Sequence, residues 1–475
     1  MRFLAEDVEQ FVRGNSGRGD LGDTPAIEGE PAMVYPVPAE DVRPRLGIDR
    51  HFDAAQSPTR RDGQTAARGK SSLALRNLRA IAILTLVAFH SVIPYLWSTK
   101  SIVLPFDQPP YQWRAFPIVD SRRWFGFDLF CAWQDVYLMA LMFFLSGLFA
   151  WPSLVRKGNG KFLGDRLLRL GVPFVFGLIV IVPLGLYPAY RMISVDPSVI
   201  SFGRSFLALP FWPNGPMWFL WLLLAFTIAL AGLHRFAPRA VALLGRLSSG
   251  AGARPGRYFI GLTSIAAVAY VPLALTYSPW SWSLQGPFTL QLSRPLLYGV
   301  YYFAGIGVGV HGLERGLLAP QGKLARRWSL CLASAIASLS LWMGLTGLTL
   351  TYPDSSAPLL LQSAADVSFA WAGASGLFFA VAVCLRFGAS RSRFFDPLSK
   401  NSLGIYLLHY APLVWLEYAM LDVPLFAGAK AAIVFGGTVG VSYAATSAMR
   451  FVPFGARMIG EDPQSAPSLE SRQAL

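Results

Sequence analysis

Apolar runs of about 20 residues recur from residue 76 to residue 449, each separated from the next by a polar loop. A helix of about 20 residues crosses the ~30 Å hydrocarbon core of a bilayer. Ten such runs are placed at approximately 76–97, 127–150, 168–190, 216–233, 257–278, 294–313, 328–350, 366–386, 402–421 and 427–449. The pattern predicts an all-α, polytopic integral membrane protein. Residues 1–70 hold Gly, Pro, Asp, Glu and Arg with few apolar runs. Such a segment buries too little surface to offset its ordering entropy and is expected to be a disordered tail. The membrane domain is then 71–451, and 452–475 a short disordered C-terminal tail. The N-terminus MRFLAEDVEQ is polar and has no apolar h-region, so no cleavable signal peptide is expected.

The loops carry the topology. After spans two, four, six and eight they hold clusters such as Arg156, Lys157, Lys161, Arg166 and Arg169, or Arg386, Arg391, Arg393 and Lys400. The alternate loops are poorer: the third to fifth of them hold only Arg294 and Lys430. The positive-inside rule places the rich loops and both termini in the cytoplasm. The same rule accounts for a formal net charge of +14 without nucleic acid as a partner. The chain is 53% hydrophobic and only 14% charged, well below the ~25% charge of soluble domains. Cys131, Cys331 and Cys384 lie in or beside apolar runs without CxxC or Cys/His spacing, so neither a disulfide framework nor a metal site is expected.

The first span, RNLRAIAILTLVAFHSVIPYLW, carries Arg79 at its cytoplasmic start and His90 within it. Eleven steps at ~100° each put the two on one helix face, roughly 16 Å apart along the axis. An ionisable side chain at membrane depth costs desolvation and is a functional candidate by default; its alternative is a neutral imidazole bonded to another helix. Asp135 on span two lies at a depth similar to that of His90. It is the candidate to orient His90 and raise its basicity, as a carboxylate does in a triad; an aspartate facing water is the alternative. Asp128 lies closer to the surface.

At the start of span three, KFLGDRLLRLGVP places Arg166 and Arg169 at i, i+3, on one face. Guanidinium forks suit phosphates, so with Arg79 they are candidates for holding a phosphorylated donor such as acyl-CoA. Ordinary positive-inside anchoring explains them equally. Further candidates for substrate contact are Trp218 in PMWFL, Tyr406 and His409 in NSLGIYLLH, and Glu417 near the outer end of span nine. His409 also fits a packing role, and His234 and His311 are expected to be structural or solvated. The first outer loop, 98–126, mixes Tyr111, Trp113, Arg114, Asp120, Arg122, Arg123 and Trp124. That mixture suits a carbohydrate and equally an interfacial aromatic belt. No GxSxG elbow, Walker loop, Rossmann fingerprint or HExxH motif stands in a usable setting, which leaves histidine as the general base.

These blocks resemble the acyltransferase-3 family of bacterial integral-membrane O-acyltransferases. RAIAILTLVAFH fits the family's Arg-X10-His motif as Arg79 and His90, and DRLLRLGVPF fits its Arg-X-X-Arg-then-Pro signature as Arg166, Arg169 and Pro173. FFLSGLF at 143–149, MWFLWLLL at 217–224 and NSLGIYLLHY at 401–410 fit in order, over about 73–450. FFLSG also has a packing reading, because Ser146 and Gly147 permit close helix approach. The resemblance implies a multi-pass protein of the bacterial inner membrane. Such a protein moves an acetyl or other short acyl group from cytoplasmic acyl-CoA, with no bound cofactor, to a hydroxyl of a sugar or lipid-linked glycan outside. The order of blocks is similar to the glucan succinyltransferase branch. Two departures stand out. The family often begins near the first span, and its outer block often has His before Leu-Trp-Phe-Leu, where this chain has Gly215, Pro216 and Met217. The alternatives from other classes are a transporter or flippase of a glycan or lipid intermediate, and a scaffold in a polysaccharide-assembly complex.

Overall fold

The computed structural model describes residues 58–99, 106, 115–283, 285–353 and 356–459, with side chains described from Ser71 onward. Tyr111, Trp113 and Arg114 lie outside the described residues, as do 1–57 and 460–475. The first helix, Pro58–Val92, begins well before the expected edge of the membrane domain. Residues 58–70, expected to belong to the N-terminal tail, continue this helix.

Among the described residues, eight helices are long and apolar enough to cross a membrane: Ser71–Tyr95, Phe125–Lys157, Asn159–Ile193, Gly215–Phe236, Pro255–Tyr277, Trp328–Thr349, Leu359–Phe387 and Ala427–Met449. The two remaining expected spans are also present. Pro295–Val310 is a shorter apolar helix of 16 residues. The ninth is broken in two, Phe395–Leu408 and Tyr410–Ala419, with His409 at the break. Pro412 explains the break: it has no N–H for the Leu408 carbonyl four residues back, and its ring crowds that carbonyl. We number these ten elements as spans one to ten in chain order. The chain is thus an all-α polytopic membrane protein, and the even count brings both ends of the membrane region to one side.

Burial sorts the spans. The apolar windows of spans one, two and eight are 61%, 61% and 72% enclosed by protein, whereas those of five, seven and ten are only 22% enclosed. Helices that are apolar all round yet little enclosed by protein present their side chains to lipid. The closest helix contact joins spans two and six. A methyl group at Gly147 would be driven into the Tyr302 carbonyl oxygen, and one at Gly305 into that of Phe144. At Gly309 it would lie 2.7 Å from the Leu148 carbonyl. FFLSGLF therefore packs as a small-residue interface, in which close backbone approach supplies the van der Waals contact that lipid cannot.

Span three alternates between α and π geometry. Its π segments are Leu167–Gly171 and Gly177–Ile181, each followed within two residues by a proline, Pro173 or Pro183. Each proline deprives the carbonyl four residues earlier of its donor, and the local widening accommodates that loss. The first π segment carries Arg169, and Arg166 directly precedes it. Outside the membrane bundle, Trp282–Ser283 pairs with Leu290–Gln291 in a short antiparallel hairpin on the outer loop before span six.

Candidate active site

The inner end of span one is fastened to the spans that follow it in space. Asn77 donates from Nδ2 to the carbonyls of Gly388 (2.8 Å) and Ser390 (3.0 Å). The exposed Arg79 donates from Nη2 to the Ser399 carbonyl at 2.9 Å, at the start of span nine. Arg166 and Arg169 are half-buried. Arg166 lies over the Phe162 ring at 5.2 Å. Asp165, the nearby carboxylate, is paired with Lys157 instead. Among the described residues, no carboxylate lies within ion-pair distance of Arg79, Arg166 or Arg169. Three guanidiniums thus stand near the starts of spans one and three without a direct carboxylate partner among the described residues.

His90 is buried, 7% exposed. Its Nδ1 lies 3.0 Å from Nε2 of His409, which is fully buried at the break in span nine. The two rings are 8° from parallel with centroids 5.1 Å apart. Given the nitrogen separation, that spacing is close to the greatest two such rings can have, so they meet edge to edge. On the other edge of His409, Nδ1 lies 2.6 Å from the Tyr406 carbonyl oxygen. One face of His90 is covered by Phe116, at 4.2 Å between centroids and 28° between planes. Phe116 belongs to the outer loop, and that loop is held by a hydrogen bond from the Tyr410 hydroxyl to the Ala115 carbonyl.

The expected contact between Asp135 and His90 is not the one formed. Asp135 accepts two parallel bonds of 2.7 Å from Nη1 and Nη2 of Arg294, the residue that precedes span six. The arginine is 3% exposed and the carboxylate 31%. Arg294 also lies over the Phe369 ring at 4.9 Å. Span two turns the carboxylate toward Arg294 at the start of span six. Asp128 accepts from the backbone N–H groups of Trp97 (2.8 Å) and Ser98 (3.0 Å), which secures the exit of span one.

The other candidates are placed as follows. The Tyr406 hydroxyl donates to the Pro216 carbonyl, and its ring meets Phe219 edge-on at 5.6 Å. Phe219 in turn lies 4.8 Å from Phe143. The blocks around Phe143, Phe219, Tyr406 and His90 therefore converge in one interior. Trp218 is half-buried and stacks on Tyr298 at 5.7 Å, with Trp282 of the outer hairpin edge-on at 6.3 Å. Glu417 is 1% exposed, and neither of its carboxyl oxygens has a hydrogen-bond partner among the described residues. His234 is bonded to Asn159 (2.9 Å) and His311 to the Gly245 carbonyl (2.6 Å), which gives both packing roles.

Two pairings were not read from the sequence. One is Arg294 with Asp135. The other is Lys430 with Asp120, 2.6 Å apart with both side chains 1% exposed, which ties the outer loop to span ten. Both cations are the isolated basic residues of otherwise poor outer loops. A lone cation on that side, unexplained by topology, was the available signal.

The fold and this interior define a class: a helical membrane protein with a buried imidazole pair, and with guanidiniums near the starts of spans one and three that have no ion-pair partner among the described residues. A family model described as an acyltransferase domain, that of the acyltransferase-3 family, matches residues 72–447. The chain belongs to this family and is a membrane acyltransferase. No curated protein and no solved structure gives a match.

Proposed function

We propose that the protein transfers an acetyl or other short acyl group from cytoplasmic acyl-CoA to a hydroxyl of a glycan or glycan-lipid outside, across a bacterial inner membrane. The observation that carries this reading is the pairing of two features on span one. A guanidinium with no carboxylate partner among the described residues sits at its inner end, and an imidazole is enclosed three turns deeper. Arg79, Arg166 and Arg169 hold the donor's phosphates, which fork-shaped donors recognise well. The pantetheine arm then runs along span one toward His90, over the ~16 Å that the helix rise gives.

In the reaction, His90 Nε2 takes the proton of the acceptor hydroxyl as its oxygen bonds to the thioester carbon. The carbon–sulfur bond breaks, and the departing CoA thiolate receives that proton, so the ester and CoA thiol are the products. The enclosure that removes water from this step also limits thioester hydrolysis. Trp218 and the unpaired Glu417 lie on the acceptor side of the site in this reading, as aromatic platform and hydrogen-bonding group. Asp135 serves there through its hold on Arg294.

Mass spectrometry of envelope glycans and lipids, with and without the protein, tests the proposal. A species lighter by one acyl group in its absence supports it. Unchanged acylation with altered export of an unmodified glycan would favour the transporter instead.

A further inference from the structure

His409 was the residue whose part the sequence left between packing and substrate contact. The hydrogen bonds around it impose a direction. A carbonyl oxygen only accepts, so the 2.6 Å contact with the Tyr406 carbonyl requires His409 Nδ1 to carry a proton. A neutral imidazole has one N–H, so His409 Nε2 then has only its lone pair to offer. The 3.0 Å contact between the two rings is therefore donated by His90 Nδ1–H to His409 Nε2. The remaining nitrogen of His90, Nε2, is left with its lone pair, and it has no hydrogen-bond partner among the described residues. Tautomers are fixed here by the partners, in sequence from the Tyr406 carbonyl outward.

We propose that His409 is a positioning residue for the acyl transfer: held by the Tyr406 carbonyl, it fixes His90 in the tautomer whose free Nε2 faces the acceptor hydroxyl as base. It does the work a carboxylate performs in a triad, without a charge. The local build supports this. The break in span nine turns the ring of His409 back onto its own helix's carbonyl. Phe116 on one face of His90 restrains the ring from rotating. No net proton passes between the rings. When Nε2 gains the hydroxyl proton, Nδ1–H continues to donate to His409, and His90 returns to neutrality as the thiolate is protonated.

This rests on the reading of His90 as the base, and the test separates the two. The full-length protein, labelled with ¹⁵N-histidine, is examined in lipid vesicles, with the His90 signals assigned by their loss in His90→Ala. The expected spectrum of the wild type shows His90 with a protonated Nδ1 and an unprotonated Nε2. The His409→Leu variant should shift His90 toward the Nε2–H tautomer and lower kcat about 10²-fold with KM for acetyl-CoA unchanged. The His409→Gln variant, whose amide oxygen can still accept from His90 Nδ1–H, should recover most of that loss. A wild-type His90 with its proton on Nε2 overturns the proposal even if both variants fail to fold. So does a His409→Leu enzyme with wild-type kcat while His90→Ala is inactive. Full activity in folded His90→Ala would instead overturn the underlying reading of the base.

Discussion

Asp135 and Arg294 are joined by two parallel hydrogen bonds of 2.7 Å, between span two and the residue that caps the start of span six. The geometry is the bidentate fork that guanidinium and carboxylate favour. Because Arg294 is 3% exposed, removing its partner leaves a charge enclosed without compensation. Asp135→Asn is expected to cost about 3 kcal/mol of stability, at the low end of the range for broken buried pairs because the carboxylate is partly exposed. The Asp135→Leu, Arg294→Met double variant should be less destabilised than Asp135→Asn alone. Thermal unfolding of the detergent-purified variants checks both; additive losses would contradict the coupling.

Lys430 and Asp120 should behave more severely, since both are 1% exposed. Lys430→Met is expected to lose about 3–5 kcal/mol and to loosen the outer loop that carries Phe116. Limited proteolysis from the outer face, faster in Lys430→Met than in wild type, is the readout.

Gly147 faces the Tyr302 carbonyl too closely for any side chain. Gly147→Val should separate spans two and six and destabilise the protein by at least about 1–3 kcal/mol, the usual cost of overpacking. Gly436, on the lipid-facing span ten, has nothing within 4 Å of an added Cβ. Gly436→Ala should be neutral or slightly stabilising through helix propensity. Thermal midpoints of the two variants compare them directly.

Arg79, Arg166 and Arg169 make a kinetic prediction. If they hold phosphates, Arg166→Ala should raise KM for acyl-CoA about tenfold, a modest share of a charge-assisted bond's worth. Arg166→Lys should recover only part of this, because a point charge lacks the fork. The KM should also rise with ionic strength in the wild type and less so in Arg166→Ala. Equal KM values across the series would assign these arginines to topology alone.

The sequence was most informative where physics is local. Long apolar runs and basic loop alternation gave the ten spans, because hydrocarbon thickness and positive-inside charge act on each segment separately. It was less informative about rotation and depth. Asp135 pairs with Arg294 rather than with His90, since adjacent spans in sequence need not aim their polar groups at each other. Span nine is expected to start at residue 402, whereas its helix begins at Phe395. That adds about two turns and brings His409 level with His90. The polar Asp396, Lys400 and Asn401 hid this beginning from a hydropathy reading. The pairing of the two histidines, 319 residues apart, depends on the tertiary fold and had no local signature.

The most direct test of acyl transfer through His90 uses inverted membrane vesicles, whose cytoplasmic face is outward, supplied with radiolabelled acetyl-CoA. Label entering glycan and lipid fractions is measured together with CoA release. Wild-type protein should transfer label, and a folded, inserted His90→Ala variant should do so about 10²- to 10⁴-fold more slowly. Transfer by His90→Ala at the wild-type rate would contradict the account.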